Sequence, residues 1–138
     1  MSNVEYTKNR HSCYYLKYHL VVVTKYRHPV FENEALKQSL LDLTKRIFES
    51  DWNCSIDAIN TDNDHIHILF SAPPQVQLSK LINNFKTVTS RLLRKEYANY
   101  LEIYYWKPYF WSDSYFIGTV SEVTEQIVTR YIKDQGKD

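Results

Sequence analysis

Between His65 and Phe70, apolar side chains recur at every second position of the chain. Successive side chains of a β-strand point to opposite faces, so this alternation predicts a strand with one apolar face. The acidic and amide residues of segment 62–64 predict a tight turn before it. His65 and His67 share the face opposite the apolar one, which makes this strand the first candidate for a functional site.

Strand and helix patterns follow one another along the rest of the chain. Runs rich in Tyr, Val and Thr predict strands, and apolar residues spaced three and four apart predict amphipathic helices. The further predicted strands are Tyr14 to Arg27, Trp52 to Thr61, Leu101 to Tyr109 and Trp111 to Gly118. The predicted helices run from about Asn33 to Ser50, from about Leu78 to Tyr97 and from near Ser121 to Gln135.

This order of elements predicts an α+β fold with a ferredoxin-like (RRM-like) βαββαβ pattern, in which the first two helices cover one face of an antiparallel sheet. We expect a single domain over residues 1–138, with a polar lead-in at 1–12 and a C-terminal helix and tail at 119–138. If the first two helices cover the apolar face of the histidine strand, only the last helix is left to cover the histidines.

The composition agrees with one globular domain. Of 138 residues, 43% are hydrophobic and 24% are charged, which excludes wholesale disorder. Aromatic residues reach 15%, and they suit a tyrosine-rich strand surface as well as a set of faces for stacking bases. The net charge of +1 provides no global basic field, so any nucleic-acid binding must rest on local patches.

Cysteine usage and the N-terminal segment bear on the compartment. Cys13 and Cys54 form no CxxC spacing, so they fit neither a zinc module nor a disulfide framework, and we expect reduced, buried thiols. The polar segment Met1 to Ser12 has no apolar signal core, and no run approaches the length that spans a membrane. A cytoplasmic location is the expectation.

The histidine pair and the last helix are the candidates for chemistry. His65 and His67 can bind one cation together, although a hydrogen-bonded, solvent-facing pair has the same spacing. The last helix carries, at four-residue steps, Val123, Ile127, Tyr131 and Gln135. We expect its first half to dock on the sheet and its second half to present Tyr131 and Gln135 to the histidines. The alternative for Tyr131 is a partly buried residue on an amphipathic helix.

Four segments together match one known family. They are His65-Ile66-His67, Tyr131 to Gln135, Tyr18 to Arg27 and Ser114 to Val120. With these segments the chain resembles the single-tyrosine HUH transposases of small bacterial and archaeal insertion sequences, the IS200-like transposases, and the resemblance covers nearly the whole chain. It implies cleavage and rejoining of single-stranded DNA at the ends of the insertion sequence.

The resemblance also implies a role for each site residue. Tyr131 would attack a phosphodiester and leave a 5′-phosphotyrosyl link with a free 3′-OH. His65, His67 and Gln135 would hold one divalent cation, Mg²⁺ or Mn²⁺, which polarises the scissile phosphate. The family acts as a homodimer in which each tyrosine helix is able to serve the partner's histidines. We take Gly118-Thr119-Val120 as the hinge for that exchange.

Family members recognise DNA hairpins near the ends of the insertion sequence, and basic side chains are the groups that would contact the DNA phosphates. A solvated charged face is the alternative for these residues, and the near-neutral total charge departs from what a strong DNA binder would show. The candidate DNA contacts are Lys80, Lys86, Arg91, Arg94 and Lys95 on the second helix, and Lys25 and Arg27 after the first strand.

Three other functions compete with the transposase. A ferredoxin-like nucleic-acid-binding module without catalysis has no need of the histidine pair, and the sequence lacks an RNP-like Lys/Arg-Gly-aromatic segment. A two-histidine phosphoesterase needs a second His-x-Thr/Ser motif, which His11, His19 and His28 do not provide. Another HUH nickase or relaxase shares the chemistry, but the short chain and the Ser114 to Val120 segment favour the transposase.

Overall fold

A four-stranded antiparallel sheet is the centre of the structure. The computed structural model describes residues 7–8, 13–14, 16–121 and 124–135. Two short strands, β1 (Thr7–Lys8) and β2 (Cys13–Tyr14), pair with each other. The central strands are β3 (Lys17–Val23), β4 (Ser55–Thr61), β5 (His65–Ser71) and β6 (Phe116–Thr119), in the spatial order β4-β5-β3-β6. Every neighbouring pair is antiparallel, which confirms the predicted ferredoxin-like sheet.

Helices account for most of the remaining described chain. They are α1 (Glu34–Lys45), which continues as a π-helical segment (Arg46–Asp51), α2 (Leu78–Glu96), the short α3 (Ala98–Leu101) and α4 (Glu125–Gln135). Asn33 caps α1, because its side chain accepts a hydrogen bond from Leu36 N at 3.0 Å. Both predicted long helices therefore form. None of these described helices is both long and apolar enough to cross a membrane.

The main core lies between one face of the sheet and helices α1 and α2. The fully buried sheet residues of this core are Leu20 and Val22 of β3 and Ile66, Ile68 and Phe70 of β5. The ring of Phe70 meets that of Phe48, which follows α1, with centroids 5.0 Å apart. The apolar face of the histidine strand thus lies beneath the first two helices, as the alternation predicts.

The first predicted strand, Tyr14 to Arg27, is longer than the strand that forms. Tyr14 belongs to the separate β1–β2 pair, β3 is limited to Lys17–Val23, and Lys25–Arg27 forms a 3₁₀ turn. Tyr26 and Arg27 have φ values of 59° and 56°, in the left-handed region that a strand cannot use. The β propensity of this run predicts the strand but does not locate its end.

The segment from Leu101 to Tyr109 is not the strand that its aromatic composition predicts. Leu101 ends α3, and the chain then forms turns without a strand. Tyr105 is buried among neighbouring rings, and its hydroxyl donates to a backbone carbonyl at 2.8 Å. Pro108 has no N–H to give to a ladder. Tyr104, Tyr105 and Tyr109 belong to the core or pack against it, whereas Trp106 is exposed, so the segment does not form a sheet surface.

The second aromatic strand is also shorter than predicted. Trp111 makes one isolated bridge to Thr24, and β6 is limited to Phe116–Thr119. Gly118 lies inside that strand, opposite His19, and does not have a positive φ. Two of the three residues predicted as a hinge are therefore in the strand, and the third, Val120, donates its backbone N–H to the oxygen of Lys17 at 3.1 Å.

Two element starts also differ from the prediction. β4 begins at Ser55 rather than at Trp52, and α4 begins at Glu125 rather than near Ser121. Val123, which we predicted to dock the last helix, lies outside the described residues.

Cys54 agrees with the expectation of a reduced, buried thiol. It is free and buried, and burial raises its pKa to about 11. A thiol with so high a pKa is an unreactive nucleophile at neutral pH. The side chain of Cys13 lies outside what the structure describes.

Candidate active site

The histidines lie on the sheet face opposite the main core. In the register of β3 and β5, His65 lies opposite Val23 and His67 lies opposite Val21. Residues directly opposite each other in an antiparallel pair share a face, whereas Ile66 between the histidines is buried in the main core. The strand therefore presents both imidazoles on one face.

His65 is held by an acidic partner from the preceding turn. Its Nδ1 lies 2.8 Å from Asp64 Oδ1, and Asp64 Oδ2 lies 3.0 Å from Arg27 Nε. An ionised carboxylate only accepts hydrogen bonds, so His65 donates from Nδ1. In the neutral imidazole, Nε2 then carries the lone pair that can bind a cation.

A third histidine, His19 of β3, joins the pair. Its Nδ1 lies 2.7 Å from His67 Nε2, and the two ring centroids are 4.9 Å apart. Burial lowers the pKa of His67, and the positive charges that His19 and His65 would carry lower it further. Burial also lowers the pKa of His19. Both rings therefore stay neutral to a lower pH than an ordinary histidine, and a metal ligand must be neutral.

A cavity of about 650 Å³ separates this histidine face from α4. One wall contains His19, His65 and His67 together with Arg27 and segment 62–64. The wall formed by α4 and the residue before it contains Thr124, Glu125, Val128, Thr129, Ile132 and Lys133. The last helix therefore covers the histidine face, as expected.

Tyr131 and Gln135 lie on a different side of α4. Tyr131 Oη is 2.8 Å from Ser114 Oγ, and its ring centroid is 5.7 Å from that of Phe116. Gln135 is buried, and its Oε1 accepts hydrogen bonds from Ser112 Oγ at 3.2 Å and from Ser114 Oγ at 3.0 Å. Neither residue lines the cavity with the histidines.

The predicted docking of α4 is therefore wrong in its rotation. Ile127, expected to dock, is 43% exposed, and Val128 and Ile132 face the cavity instead. The structure brings the three histidines together, and it brings Tyr131 and Gln135 together on the serines. Joint action of these two groups stays a prediction.

Lys86 of α2 holds the segment 112–114, which contains the two serines. The Lys86 Nζ donates to the backbone oxygens of Ser112 at 2.8 Å and Ser114 at 3.3 Å. Burial lowers the pKa of this amine, while Asp113 acts in the opposite direction. Lys86 therefore supports the segment that contacts Tyr131 and Gln135, in addition to any contact with DNA.

The predicted DNA contacts on α2 fall in different places. Lys86, Arg91 and Arg94 line one cleft of about 480 Å³ together with segment 108–113. Lys80 and Lys95 are exposed, and neither lines this cleft. The cleft is therefore the part of α2 where basic side chains converge on a concave surface.

The two basic residues after β3 have partners within the chain. Lys25 is only 8% exposed, and its Nζ lies 3.4 Å from Asp113 and 5.3 Å from the ring centroid of Tyr109. This burial contradicts its assignment as a surface contact for DNA. Arg27 pairs with Asp64 and lines the histidine cavity.

His19, Ser112 and Ser114 were not predicted as site residues. The apolar alternation of β3 places His19 on the second face, but only the register against β5 brings it to His67. Ser112 and Ser114 lie outside any strand or helix. No periodic pattern identifies residues of this kind.

The donor set fits one divalent cation with two nitrogen ligands from β5. Among residues 16–121 and 124–135, no group of three or more His, Cys, Asp or Glu side chains is placed to hold a metal ion. A carboxamide oxygen would add an oxygen donor to these two nitrogens. Mixed nitrogen and oxygen ligands suit Mn²⁺ well and Mg²⁺ less well.

The histidine cluster leads to a prediction for acid stability. Because the folded-state pKa values of His19 and His67 are lowered, the unfolded chain binds protons more readily than the folded chain. The free energy of unfolding should therefore fall as pH drops through the ordinary histidine value of 6.5. Urea denaturation in EDTA at constant ionic strength measures this, and His19→Gln should show a shallower fall. Parallel curves would contradict the contribution of His19.

The chain is similar to known transposases over most of its length. The family described as IS200-like transposase matches residues 12–135. The ISDra2 transposase TnpA of Deinococcus radiodurans is 32% identical over 132 residues, which cover 96% of this chain and 92% of that protein. The transposase for insertion sequence element IS200 of Salmonella typhimurium is 30% identical over 126 residues, which cover 91% of this chain and 80% of that protein.

Two solved structures share the fold. A crystal structure of a Deinococcus radiodurans R1 protein described as a transposase has a TM-score of 0.82 and 29% identity, covering 94% of this chain and 97% of that one. A REP-associated tyrosine transposase bound to a REP hairpin has a TM-score of 0.53 and 11% identity, covering 91% of this chain and 68% of that one. At 11% identity the likeness concerns the fold alone.

Proposed function

Because the chain belongs to the IS200-like transposase family, we propose that it cleaves and rejoins single-stranded DNA through a covalent bond to Tyr131. Membership makes the chain a DNA-cleaving transposase of a mobile element, and the proposal concerns how the cleavage is done. The supporting observation is that α4, which carries Tyr131, covers the histidine face across a cavity of about 650 Å³. Cavities of roughly this size are typical of small-molecule sites, and a phosphodiester group fits within them.

The proposed reaction consists of two transesterifications. Tyr131 Oη attacks the phosphorus, the bond to the 3′ oxygen breaks, and that oxygen takes up a proton as a free 3′-OH. A second 3′-OH then attacks the phosphotyrosine, releases the Tyr131 hydroxyl and restores the DNA without ATP. A phenol with a pKa near 10 is a weak nucleophile at neutral pH, so charge stabilisation at the phosphate must provide much of the rate.

We assign His65 and His67 as ligands of one divalent cation, Mn²⁺ or Mg²⁺, with the carboxamide oxygen of Gln135 as the third protein ligand. When bound, such a cation polarises the scissile phosphate. The Asp64 contact of His65 supports the assignment, because it holds the proton on Nδ1 and so places the lone pair of the neutral ring on Nε2. Burial lowers the pKa of His67 and so favours its neutral form. Gln135 is held by serine hydroxyls, so it would join the histidines only after α4 changes position or through a second chain.

A homodimer with shared active sites would account for this separation. Each chain would place Tyr131 and Gln135 of its own α4 on the histidines of its partner. The link between β6 and α4, which begins at Val120, is the segment whose conformation would decide between the two arrangements. A hydrogen-bonded hydroxyl pair such as Tyr131 and Ser114 is worth only about 1 kcal/mol, so binding of DNA is able to overcome it.

Formation of a covalent adduct tests the proposed reaction. Incubation with hairpin-bearing single-stranded DNA from the ends of the mobile element that encodes the chain, with Mn²⁺, should give a protein–DNA band on a denaturing gel. EDTA should remove the band, because the cation stabilises the attacked phosphate. The same sequence as a full duplex is the control and should give no band, because all of its bases are paired and it contains no single-stranded segment. Binding without an adduct on these ends would favour a non-catalytic nucleic-acid-binding module.

The cleft on α2 gives a separate prediction for DNA affinity. Arg91→Gln and Arg94→Gln should weaken hairpin binding and reduce the slope of log K against log salt concentration, by about 0.7 to 0.9 for each phosphate that is no longer neutralised. Lys80→Gln is the matched control, because Lys80 is exposed on the same helix but does not line the cleft. Slopes that are equal in all three variants would contradict phosphate contacts in the cleft.

A further inference from the structure

Asp64 and Arg27, which are not among the assigned cation ligands, hold His65 in place. The Asp64 carboxylate bridges Arg27 and His65, with Oδ2 3.0 Å from Arg27 Nε and Oδ1 2.8 Å from His65 Nδ1. The side chains of Asp64 and His65 are 16% and 18% exposed, and that of Arg27 is 36% exposed. The bridge is therefore largely shielded from water, where charge-assisted hydrogen bonds are stronger than on an open surface.

The backbone around the bridge is constrained from both sides. Tyr26 and Arg27 both have positive φ, a costly conformation that persists only where surrounding contacts enforce it. The N–H of Thr24 donates to the backbone oxygen of Asp64 at 2.9 Å. The Thr24 hydroxyl lies 3.2 Å from the same oxygen and 2.7 Å from the backbone oxygen of His28, its nearer acceptor. The turn after β3 is thus hydrogen-bonded to the turn before β5. With positive φ at Tyr26 and Arg27, the Arg27 guanidinium lies against the Asp64 carboxylate.

We propose that Asp64 and Arg27 are positioning residues that fix His65 as a cation ligand. Asp64 retains the proton on His65 Nδ1 and so leaves the lone pair on Nε2, and Arg27 orients the carboxylate. The role as a ligand support rests on the proposed function, whereas the hydrogen-bond arrangement exists without a cation. Neither residue touches the reacting atoms in this scheme.

This role differs measurably from the DNA contact that the sequence predicted for Arg27. If Arg27 only attracted phosphate, its removal would leave Mn²⁺ affinity equal or higher, because a positive neighbour of the cation would be gone. If Arg27 positions Asp64 and His65, its removal lowers that affinity. Lys133 lines the same cavity and contributes a cation from α4, so Lys133→Gln is a matched control for charge.

Titration of the DNA-free chain with Mn²⁺, followed by electron paramagnetic resonance, separates these outcomes. Asp64→Ala should raise the Kd by about tenfold to a hundredfold, as loss of an outer-shell partner does at other metal sites. Arg27→Gln should raise it by less, Asp64→Asn should recover part of the loss because its oxygen still accepts a hydrogen bond, and Lys133→Gln should not raise it. An unchanged Kd in both Asp64→Ala and Arg27→Gln would overturn the proposal.

The imidazole tautomer provides a readout without metal. In ¹⁵N NMR spectra at about pH 8, the neutral His65 ring should carry its proton on Nδ1 in the wild type and lose this preference in Asp64→Ala. Comparison with His65→Gln assigns the signal. Protonation of Nε2 in the wild type would overturn the proposal. The expected tautomers together with no DNA adduct would support positioning and refute the tyrosine chemistry, so the two failures are distinguishable.

Discussion

Tyr131→Phe is expected to abolish the covalent protein–DNA product, lowering DNA cleavage by at least about 10⁴-fold, as removal of a nucleophile does in other enzymes. The substitution removes one oxygen, and that oxygen is the atom that would bond to phosphorus. The fold should survive, because the ring contact with Phe116 remains and Gln135 keeps its own bonds to Ser112 and Ser114. The lost hydrogen bond to Ser114 should cost about 1 kcal/mol in the free energy of unfolding.

Tyr115→Phe is the matched control for this substitution. Tyr115 adjoins Ser114, and its ring, which lies 5.9 Å from Lys86 Nζ, would be retained in the variant. Its adduct yield should equal that of the wild type, as measured on the same denaturing gel with hairpin DNA and Mn²⁺. An adduct that persists in Tyr131→Phe, or one that disappears equally in both variants, would contradict the assignment of the nucleophile.

Local periodicity was sufficient to predict most of the fold. The alternation around Ile66 and Ile68 fixed which face of β5 is buried, and the apolar stripes located α1 and α2. These signals are local, because each strand or amphipathic helix has to bury one face wherever it packs. The order of elements then restricted the topology to an antiparallel sheet with two helices on one side.

The errors arose where tertiary contacts override local propensity. Tyr and Val favour strands up to Arg27, but the left-handed backbone at Tyr26 and Arg27 ends the strand earlier. The aromatic run after Leu101 has the composition of a strand, yet Tyr105 is buried and satisfies its hydroxyl on a backbone carbonyl. A propensity scale does not contain these contacts, because their partners lie far away in sequence.

The candidate site divides in the same way. His65 and His67 follow from alternation alone, whereas the approach of His19 requires the register between β3 and β5. The rotation of α4 was missed because its apolar residues form a slowly turning stripe. With Val128 and Ile132 facing the cavity, Tyr131 is turned toward Ser114, and a rotation of this kind depends on tertiary contacts.

A mixture of two inactive chains is expected to recover cleavage if the active site is shared. Tyr131→Phe retains the histidines, and His67→Ala retains the nucleophile, but neither homodimer has both. Random mixing makes about half of the dimers mixed, and one of the two sites in each mixed dimer is then complete, so about a quarter of wild-type adduct yield should return. Co-refolding of the two variants, followed by the Mn²⁺ adduct assay, measures this recovery.

The outcome of mixing also distinguishes a shared site from a rearrangement within one chain. If α4 of each chain turned toward its own histidines, every site in the mixed dimer would lack either Tyr131 or His67, and the yield would remain at zero. A double variant with both substitutions, mixed with wild type, is the control. If the site is shared, both sites of a mixed dimer lack either Tyr131 or His67, so only wild-type dimers form the adduct. Recovery in the first mixture would show that the serine-held position of Tyr131 is one state of a helix that serves the partner.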